Sequence, residues 1–332
     1  MTPFRVLGIE TSCDESAAAI VENGDTILSN VIASQAEIHA RWGGVIPEVA
    51  SRKHVENLLP VIHSAFEQCG LNWEDIDGIA VTNRPGLVGA LLVGVSAAKA
   101  LAYAYNKPFV GVHHLLGHLY ANFLSPNPPD FPFVCLIVSG GHTELLMMKD
   151  HNARIRLGHT LDDAAGECFD KCARLMGLPY PGGPNVDRVA IDGDPQAVAF
   201  PRAWLGGSYD FSFSGLKTAV SRFLQDDGGK TPLPDVAASF QEAVVETLVR
   251  KTIKAAEETG MRSVAVGGGV AANRRLSSQI RLACEEKGLQ LVIPPPDLCT
   301  DNAAMIAAAG YPRLSKGESD PLSLDTMAVE SL

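Results

Sequence analysis

The chain has no Cys-x-x-Cys pair, and its seven cysteines, at positions 13, 69, 135, 168, 172, 284 and 299, are odd in number and scattered. A disulfide framework is therefore not expected. Cys168 and Cys172 stand four apart in "ECFDKCARLMG", which reads as an amphipathic core helix, because free cysteine is among the most buried residue types. Long apolar runs are also missing. The richest stretch, "LVGALLVGVSAAKALAYAY", is broken by glycines and carries Lys99, so no bilayer span is expected. The opening "MTPFRVLGIE" lacks the basic, apolar and small-residue order of a signal peptide, and the cytoplasm is the expected location. Positive charge is short as well. With 27 Lys and Arg against 38 Asp and Glu, the formal net charge is −11, which argues against nucleic-acid binding by the whole surface. Any RNA contact must use a local basic patch or a partner. Arg202, Lys217, Arg274 and Arg275 are candidates for such a patch, and a solvated mixed-charge surface is the alternative for each.

What is present is enough apolar material for two lobes: 332 residues, 46% of them hydrophobic. "FRVLGIETSCDESAAAIVENGDTILSNVIAS" reads as three strands, the last two joined by a turn at Asn23-Gly24-Asp25. "ASRKHVENLLPVIHSAFEQCG" follows as a helix with apolar positions at Val55, Leu58, Leu59, Ile62 and Phe66. Then come the strand "IDGIAVTN", a Pro-Gly turn, an apolar helix and the strand "PFVGVHH". The pattern restarts at residue 131, where "FPFVCLIVSGGHTELLMMKD" is again strand, turn, strand, and "RIRLGHT" can supply the third. Helices are predicted at 162 to 177, 184 to 192 and 234 to 259, then strand "SVAVGGG", a helix from about Asn273, strand "LQLVIP" and helix "TDNAAMIAAAGYPRL". Hairpin-linked strands followed by alternating helices and strands, twice over, predict two similar α/β lobes, 1–130 and 131–332, with a central cleft as the ligand site.

Several short stretches carry chemistry. In "VHHLLGHLYANF", His114 and His118 are spaced to share one helix face, so their imidazoles can converge on a metal; a helix that happens to carry two histidines is the alternative. The turns "GIETSCDES", "IVSGGHTE" and "VGGGVAANRRL" leave strands and expose backbone N–H groups, which together favour a nucleotide or phosphate ligand. "LDDAAGECFDK" places Asp162 and Asp163 where either could serve a helix N-terminus, but Asp170 lies a turn deeper. In "PPPDLCTDNAAMIA", Thr300 or Asp301 can cap the following helix, or Asp301 can complete a two-His, one-carboxylate site with open positions.

The motifs "GIETSCDES", "GGVIPEVASRKH", "PGLVGALLVG", "HHLLGH", "FPFVCLIVSGGHTEL", "DDAAGECFDK", "YPGGP", "DFSFSGLKTAV", "GGGVAANRRL" and "CTDNAAMIAAAG" resemble, in order from about residue 4 to 313, the TsaD family of tRNA adenosine threonylcarbamoyltransferases. That family was formerly described as an O-sialoglycoprotein endopeptidase. The resemblance implies an α/β fold of the actin, Hsp70 and sugar-kinase (ASKHA) type, with two ribonuclease-H-like lobes and a helical insertion around 160–235. It implies transfer of the threonylcarbamoyl group from threonylcarbamoyl-AMP to N6 of the adenosine just 3′ of the anticodon, in tRNAs that read codons beginning with A. The product is t6A and AMP is released. It assigns one divalent metal, Fe2+ before Zn2+, to His114, His118 and Asp301, and donor contacts to Ile137, Val138, Ser139, Gly140, Gly141, Asp170, Gly183, Asp187 and Asn273. ATP or an adenylate is the implied nucleotide ligand. The implied partners are the tRNA anticodon loop, a paralogous TsaB-like subunit and a small TsaE-like ATPase.

Asp14, projecting from the first turn, can accept the N6 proton, or it can simply cap that turn. Two departures from the family pattern bear on partner contacts: Asn83-Arg84 before "PGL", read as a loop bearing a bulky cation, and the C-terminal "PLSLDTMAVESL". A zinc peptidase is the competing reading of HxxxH, but the general-base Glu of HExxH proteases is replaced by Leu115. A nucleotide-binding switch without transferase activity is the other.

Overall fold

Continuous runs of apolar and small residues, buried on both faces, and an Asn-Gly turn build the first hairpins. β1 (Arg5–Glu10) pairs antiparallel with β2 (Glu15–Glu22), Gly8 opposite Ala19, and β2 pairs antiparallel with β3 (Thr26–Ser34). Asn23 and Gly24 both take positive φ, 54° and 81°, in a tight turn that Asp25 N–H closes on Glu22 O at 3.3 Å. The computed structural model describes residues 3–329 and 332. After β3 come a short α1 (Ala36–Ala40), α2 (Pro47–Cys69), β4 (Gly78–Arg84), α3 (Val88–Tyr105), β5 (Phe109–His113) and α4 (His114–Tyr120). β4 and β5 add parallel strands, giving the order β3-β2-β1-β4-β5.

α2 begins three residues before the predicted start because Pro47, with φ already near the helical value, opens its first turn. Of its predicted apolar face, Leu58 and Ile62 are buried, while Val55 and Leu59 are exposed. α3 is long and apolar enough, by length and composition, to cross a membrane, which its glycines were expected to prevent. Its Ala90, Leu91, Val95, Ala98 and Ala102 are buried, and Val95, Ala98 and Ala102 pack in the core of the sheet with Leu58 and Ile62.

The second half repeats the plan. β6 (Phe133–Val138), β7 (Thr143–Met148) and β8 (Arg154–His159) are antiparallel neighbours. An inserted helical segment, α5 (Ala165–Leu175), α6 (Gly182–Val189) and α7 (Ser214–Asp227), leads to the long α8 (Leu233–Thr259). β9 (Ser263–Gly267), α9 (Arg274–Lys287), β10 (Gln290–Val292) and a short α10 (Pro296–Cys299) follow. The sheet order is β10-β9-β6-β7-β8, the same arrangement strand for strand. Cys168 and Cys172 lie fully buried in this unit's core, and all seven cysteines are free thiols.

The chain then turns back. α11 (Ala303–Leu314) belongs with the first sheet, and the compact units are Met1–Pro128 with Thr300–Leu332, and Pro129–Cys299. This corrects the expectation that 131–332 forms one lobe. The reason is steric: the small residues of "NAAMIAAAG" let α11 lie directly on β1 and β4. A Cβ on Gly8 would stand 2.1 Å from Ala303 O, and one on Gly310 only 2.4 Å from the Ala80 Cβ.

The loop reading of Asn83-Arg84 is corrected too. Both residues end β4 rather than occupying a loop. Asn83 is buried, donates from Nδ2 to Asp325 O at 3.0 Å and accepts at its carbonyl from Met327 N–H at 3.0 Å, tying down the C-terminal segment. Arg84 donates to Asn83 Oδ1 at 2.7 Å. Of that segment, Glu330 and Ser331 lie outside the described residues.

Candidate functional site

α4 starts directly at the end of β5, so its first residue, His114, is held by the sheet, and His118 falls one turn later on the same face. Between them Gly117 faces α11, where a Cβ would meet Ile306 Cδ1 at 2.6 Å. That close approach brings the N-terminal end of α11 to the histidines. Asn302 caps α11, its Oδ1 accepting from Met305 N–H at 3.0 Å. Neither Thr300 nor Asp301 is the cap, and the Asp301 carboxylate is turned to the histidine pair instead. Asp301 Oδ1 lies 3.2 Å from His118 Nε2 and 3.5 Å from His114 Nε2, and the three ligand atoms are all within 4.8 Å of one another.

Does this set fit a metal? Ligand atoms about 2.1 Å from a tetrahedral ion stand about 3.4 Å apart, close to the spacings seen. His118 Nδ1 is buried with no hydrogen-bond partner, and buried Nε2 makes no aligned hydrogen bond although Asp301 Oδ1 is near; burying such atoms unsatisfied costs about 1–3 kcal/mol each. A cation bound at Nε2 removes one of those costs. Asp301 keeps 22% of its side-chain surface exposed, so one side of the set is open. The residues therefore fit a divalent ion held by three protein ligands with positions to spare.

Behind His114 stand groups that the sequence reading did not single out. Glu10, the fully buried last residue of β1, has Oε2 3.1 Å from His114 Nδ1, and Ser12 Oγ is also 3.1 Å from that nitrogen. Thr82 Oγ1 donates to Glu10 Oε2 at 2.6 Å, and Ser12 N–H donates to Oε1. Burial works against a charge on His114, but Asp301 and Glu10 outweigh it and push its pKa up to about 9. The burial of Glu10 acts to raise its own value, yet His114 holds it below the ordinary carboxylate range. The local signal was a charged residue directly after the apolar run of residues 6–9.

The β1–β2 turn carries Asp14, half-buried, with its carbonyl accepting from Gln35 N–H at 3.0 Å. His54 braces the turn, Nε2 2.9 Å from Cys13 O and Nδ1 2.8 Å from Ser16 Oγ, and burial keeps its pKa below the usual value. Burial, then Asp301 and Asp14, push Glu15 up to about 9, so at neutral pH Glu15 keeps its proton.

In the second unit, Ile137 and Val138 end β6 fully buried, Ser139 is nearly so, and Gly140 and Gly141 are exposed with no heavy atom within 4 Å of an added Cβ. Gly140 has no positive φ, so open space rather than backbone freedom distinguishes it. Ser139 N–H is spent on His142 O at 2.8 Å. The turn's carbonyls accept from α5: Gly166 N–H to Ser139 O at 3.2 Å and Glu167 N–H to Gly140 O at 3.0 Å. Asp162 does not serve α5. It accepts from Phe213 N–H at 2.7 Å and Ser214 N–H at 3.2 Å, capping α7.

Asp170 Oδ1 accepts from Gly182 N–H at 2.6 Å at the start of α6, where Gly183 also lies. Asp187 pairs with Arg274 at 2.6 Å, and Asn273 caps α9 while donating to Gln241 Oε1 at 2.7 Å. Asp187, Gln241 and Arg274 line a cavity of about 380 Å3. The four cations offered as an RNA patch are each spent on a carboxylate: Arg202 on Glu246 at 2.8 Å, Lys217 on Asp163 at 3.5 Å, Arg274 on Asp187, and Arg275 on Glu242 at 2.6 Å. They do not form an unpaired basic surface.

Solved structures show the fold. Full-length HypF in a phosphate- and nucleotide-bound form superposes with a TM-score of 0.63 at 13% identity, over 95% of this chain and 47% of that one. Component A of the Acidaminococcus fermentans (R)-2-hydroxyglutaryl-CoA dehydratase gives 0.54 at 15%, over 94% and 99%. The fold is accordingly of the ASKHA type. Among curated proteins, the tRNA N6-adenosine threonylcarbamoyltransferase of Symbiobacterium thermophilum is 56% identical over 324 residues, 97% of this chain and 95% of that protein. The protein of the same description from Bacillus subtilis (strain 168) is 57% identical over 317 residues, 94% and 91%. The family model described as TsaD, tRNA N6-adenosine threonylcarbamoyltransferase, matches residues 26–308. With that match running from β3 into α11, and with relatives of more than half identity along nearly their whole length, the chain belongs to the TsaD family of threonylcarbamoyltransferases.

Proposed function

We propose that the chain transfers the threonylcarbamoyl group of threonylcarbamoyl-AMP to N6 of the adenosine just 3′ of the anticodon, forming t6A and releasing AMP. Family membership supports the reaction, and the observation that carries the site is His118, a buried imidazole whose ring nitrogens make no hydrogen bond and whose Nε2 lies 3.2 Å from Asp301, beside His114. His114, His118 and Asp301 hold one divalent ion, Fe2+ or Zn2+. Such an ion supplies Lewis-acid polarisation and a grip on the donor's oxygens.

The rest falls to the chain's own groups. The exocyclic amine of adenine is a poor nucleophile, so its target carbonyl must arrive as a mixed anhydride and be held in place. The open space over Gly140 and Gly141 lets a donor approach the backbone. The cavity beside Asp187, with Asn273 behind Gln241 and Asp170 fixing α6, suits the adenylate portion. Asp14 accepts the proton that leaves N6. The anticodon loop is single-stranded, so the base can be splayed out without opening a duplex.

Net acidity and paired surface cations leave tRNA docking to assistance. A TsaB-like paralogous subunit and a TsaE-like small ATPase are the proposed helpers, in the cytoplasm and with no membrane. The peptidase reading has no support at the site, since Leu115 is a fully buried side chain and not a general base. Mass spectrometry of tRNA nucleosides from cells with and without the protein tests the reaction. Loss of t6A on depletion, restored by the wild-type chain, is expected; unchanged t6A refutes it.

A further inference from the structure

The two histidines are not equivalent. His118 turns Nε2 toward Asp301, but its Nδ1 meets no hydrogen-bond partner. His114 also has Nε2 beside Asp301, and its Nδ1 is 3.1 Å from a carboxylate, Glu10 Oε2. Glu10 is fully buried and is itself pinned by Thr82 Oγ1 and the Ser12 amide. A buried carboxylate is costly to keep, and an ionic cluster serving packing alone can often be replaced by apolar groups without loss. What an apolar residue cannot do is accept a proton-bearing Nδ1. An imidazole has two tautomers, and the group bonded to one nitrogen decides which electron pair the other offers.

We propose that Glu10 is a positioning residue: by accepting the Nδ1–H of His114 it commits Nε2 as the donor facing Asp301 and His118, and so sets the geometry of the metal ligands. This rests on the reading that those three side chains hold a divalent ion. With no such partner on His118, the orientation of the pair depends on the Glu10 contact. Outer partners of this kind are typically worth about tenfold to a hundredfold in metal affinity. Ser12 Oγ, neutral and equally near, is the weaker contact.

The test titrates Co2+ alone into the full metal-free chain and follows its visible ligand-field bands, for the wild-type protein, Glu10→Gln and Ser12→Ala, with thermal midpoints of the metal-free forms. The wild-type protein is expected to bind one Co2+ per chain. Glu10→Gln, which keeps the size and an acceptor oxygen, is expected to bind about tenfold to a hundredfold more weakly with shifted bands, and Ser12→Ala to change less. Wild-type affinity and bands in Glu10→Gln overturn the role of Glu10 while leaving the metal site standing. Absence of Co2+ binding by the wild-type protein overturns the metal reading and this proposal with it. A second measurement needs no variant: in the Zn2+-loaded protein, long-range 1H–15N spectra should show the His114 proton on Nδ1. A proton on Nε2 overturns the proposal even if Glu10→Gln fails to fold.

Discussion

The turn between β1 and β2 and the turn between β6 and β7 occupy the same place in two sheets of identical strand order, yet they are built for opposite tasks. The first is crowded with side chains: Glu10 buried behind it, Ser12 against His114, Asp14 within it, Glu15 opening β2, and His54 bracing it. The second is bare. Gly140 and Gly141 present open backbone, and the turn is fixed through its carbonyls by the amides of α5. A repeated fold thus keeps its hydrogen-bond ladder while the turns differ, one set with polar side chains beside His114, the other leaving open space over its backbone.

The sharpest way to break this contrast is at the first unit's ligands. His118→Ala or Asp301→Asn should lower metal affinity by more than the about tenfold to hundredfold typical of an outer partner, and t6A formation should fall with it. Elemental analysis of purified protein and nucleoside mass spectrometry check both; full metal content in either variant would refute the site. In the second unit, Gly140→Val should abolish transfer while changing stability by no more than about 0.5 kcal/mol, because the side chain enters empty space. Normal turnover would make the bare turn structural only.

Gly8→Ala tests whether the crowded side depends on the seating of α11. A Cβ there collides with the backbone at Ala303, and such overpacking costs about 1–3 kcal/mol, read as a lowered unfolding midpoint. An unchanged midpoint would mean that α11 shifts freely. The smallest effect belongs to Asn302→Ala, which removes the α11 cap at a cost of about 1 kcal/mol and should leave metal content intact. Loss of metal in that variant would show that the cap and Asp301 act as one unit.

How much of this was legible in the sequence differs from feature to feature. Strand and helix order followed from periodicity, and the Asn23-Gly24 hairpin from turn chemistry, because both signals are local. α7 carried no assigned helical pattern. It is stabilised from outside, by Asp162 at its N-terminus. The cap of α11 was placed one or two residues too early because Thr300, Asp301 and Asn302 are all capping types, and only the packing of α11 decided among them. The pairing of the candidate basic residues was hidden for a related reason: Arg202, Lys217, Arg274 and Arg275 each meet an acid from elsewhere in the chain.

By itself the sequence determined the duplicated α/β plan and the placement of His114 and His118 on one helical face, since a period of 3.6 puts residues four apart side by side. The tertiary structure decided what joins them. Asp301 reaches the histidines because the chain returns to the first unit at Thr300 and α11 lies on the first sheet, close enough only because Gly8, Gly117 and Gly310 lack side chains. Glu10 meets His114 because parallel β1, β4 and β5 bring the end of β1 beside the start of α4. Contacts between residues so far apart in the chain arise from packing, and no local pattern encodes them.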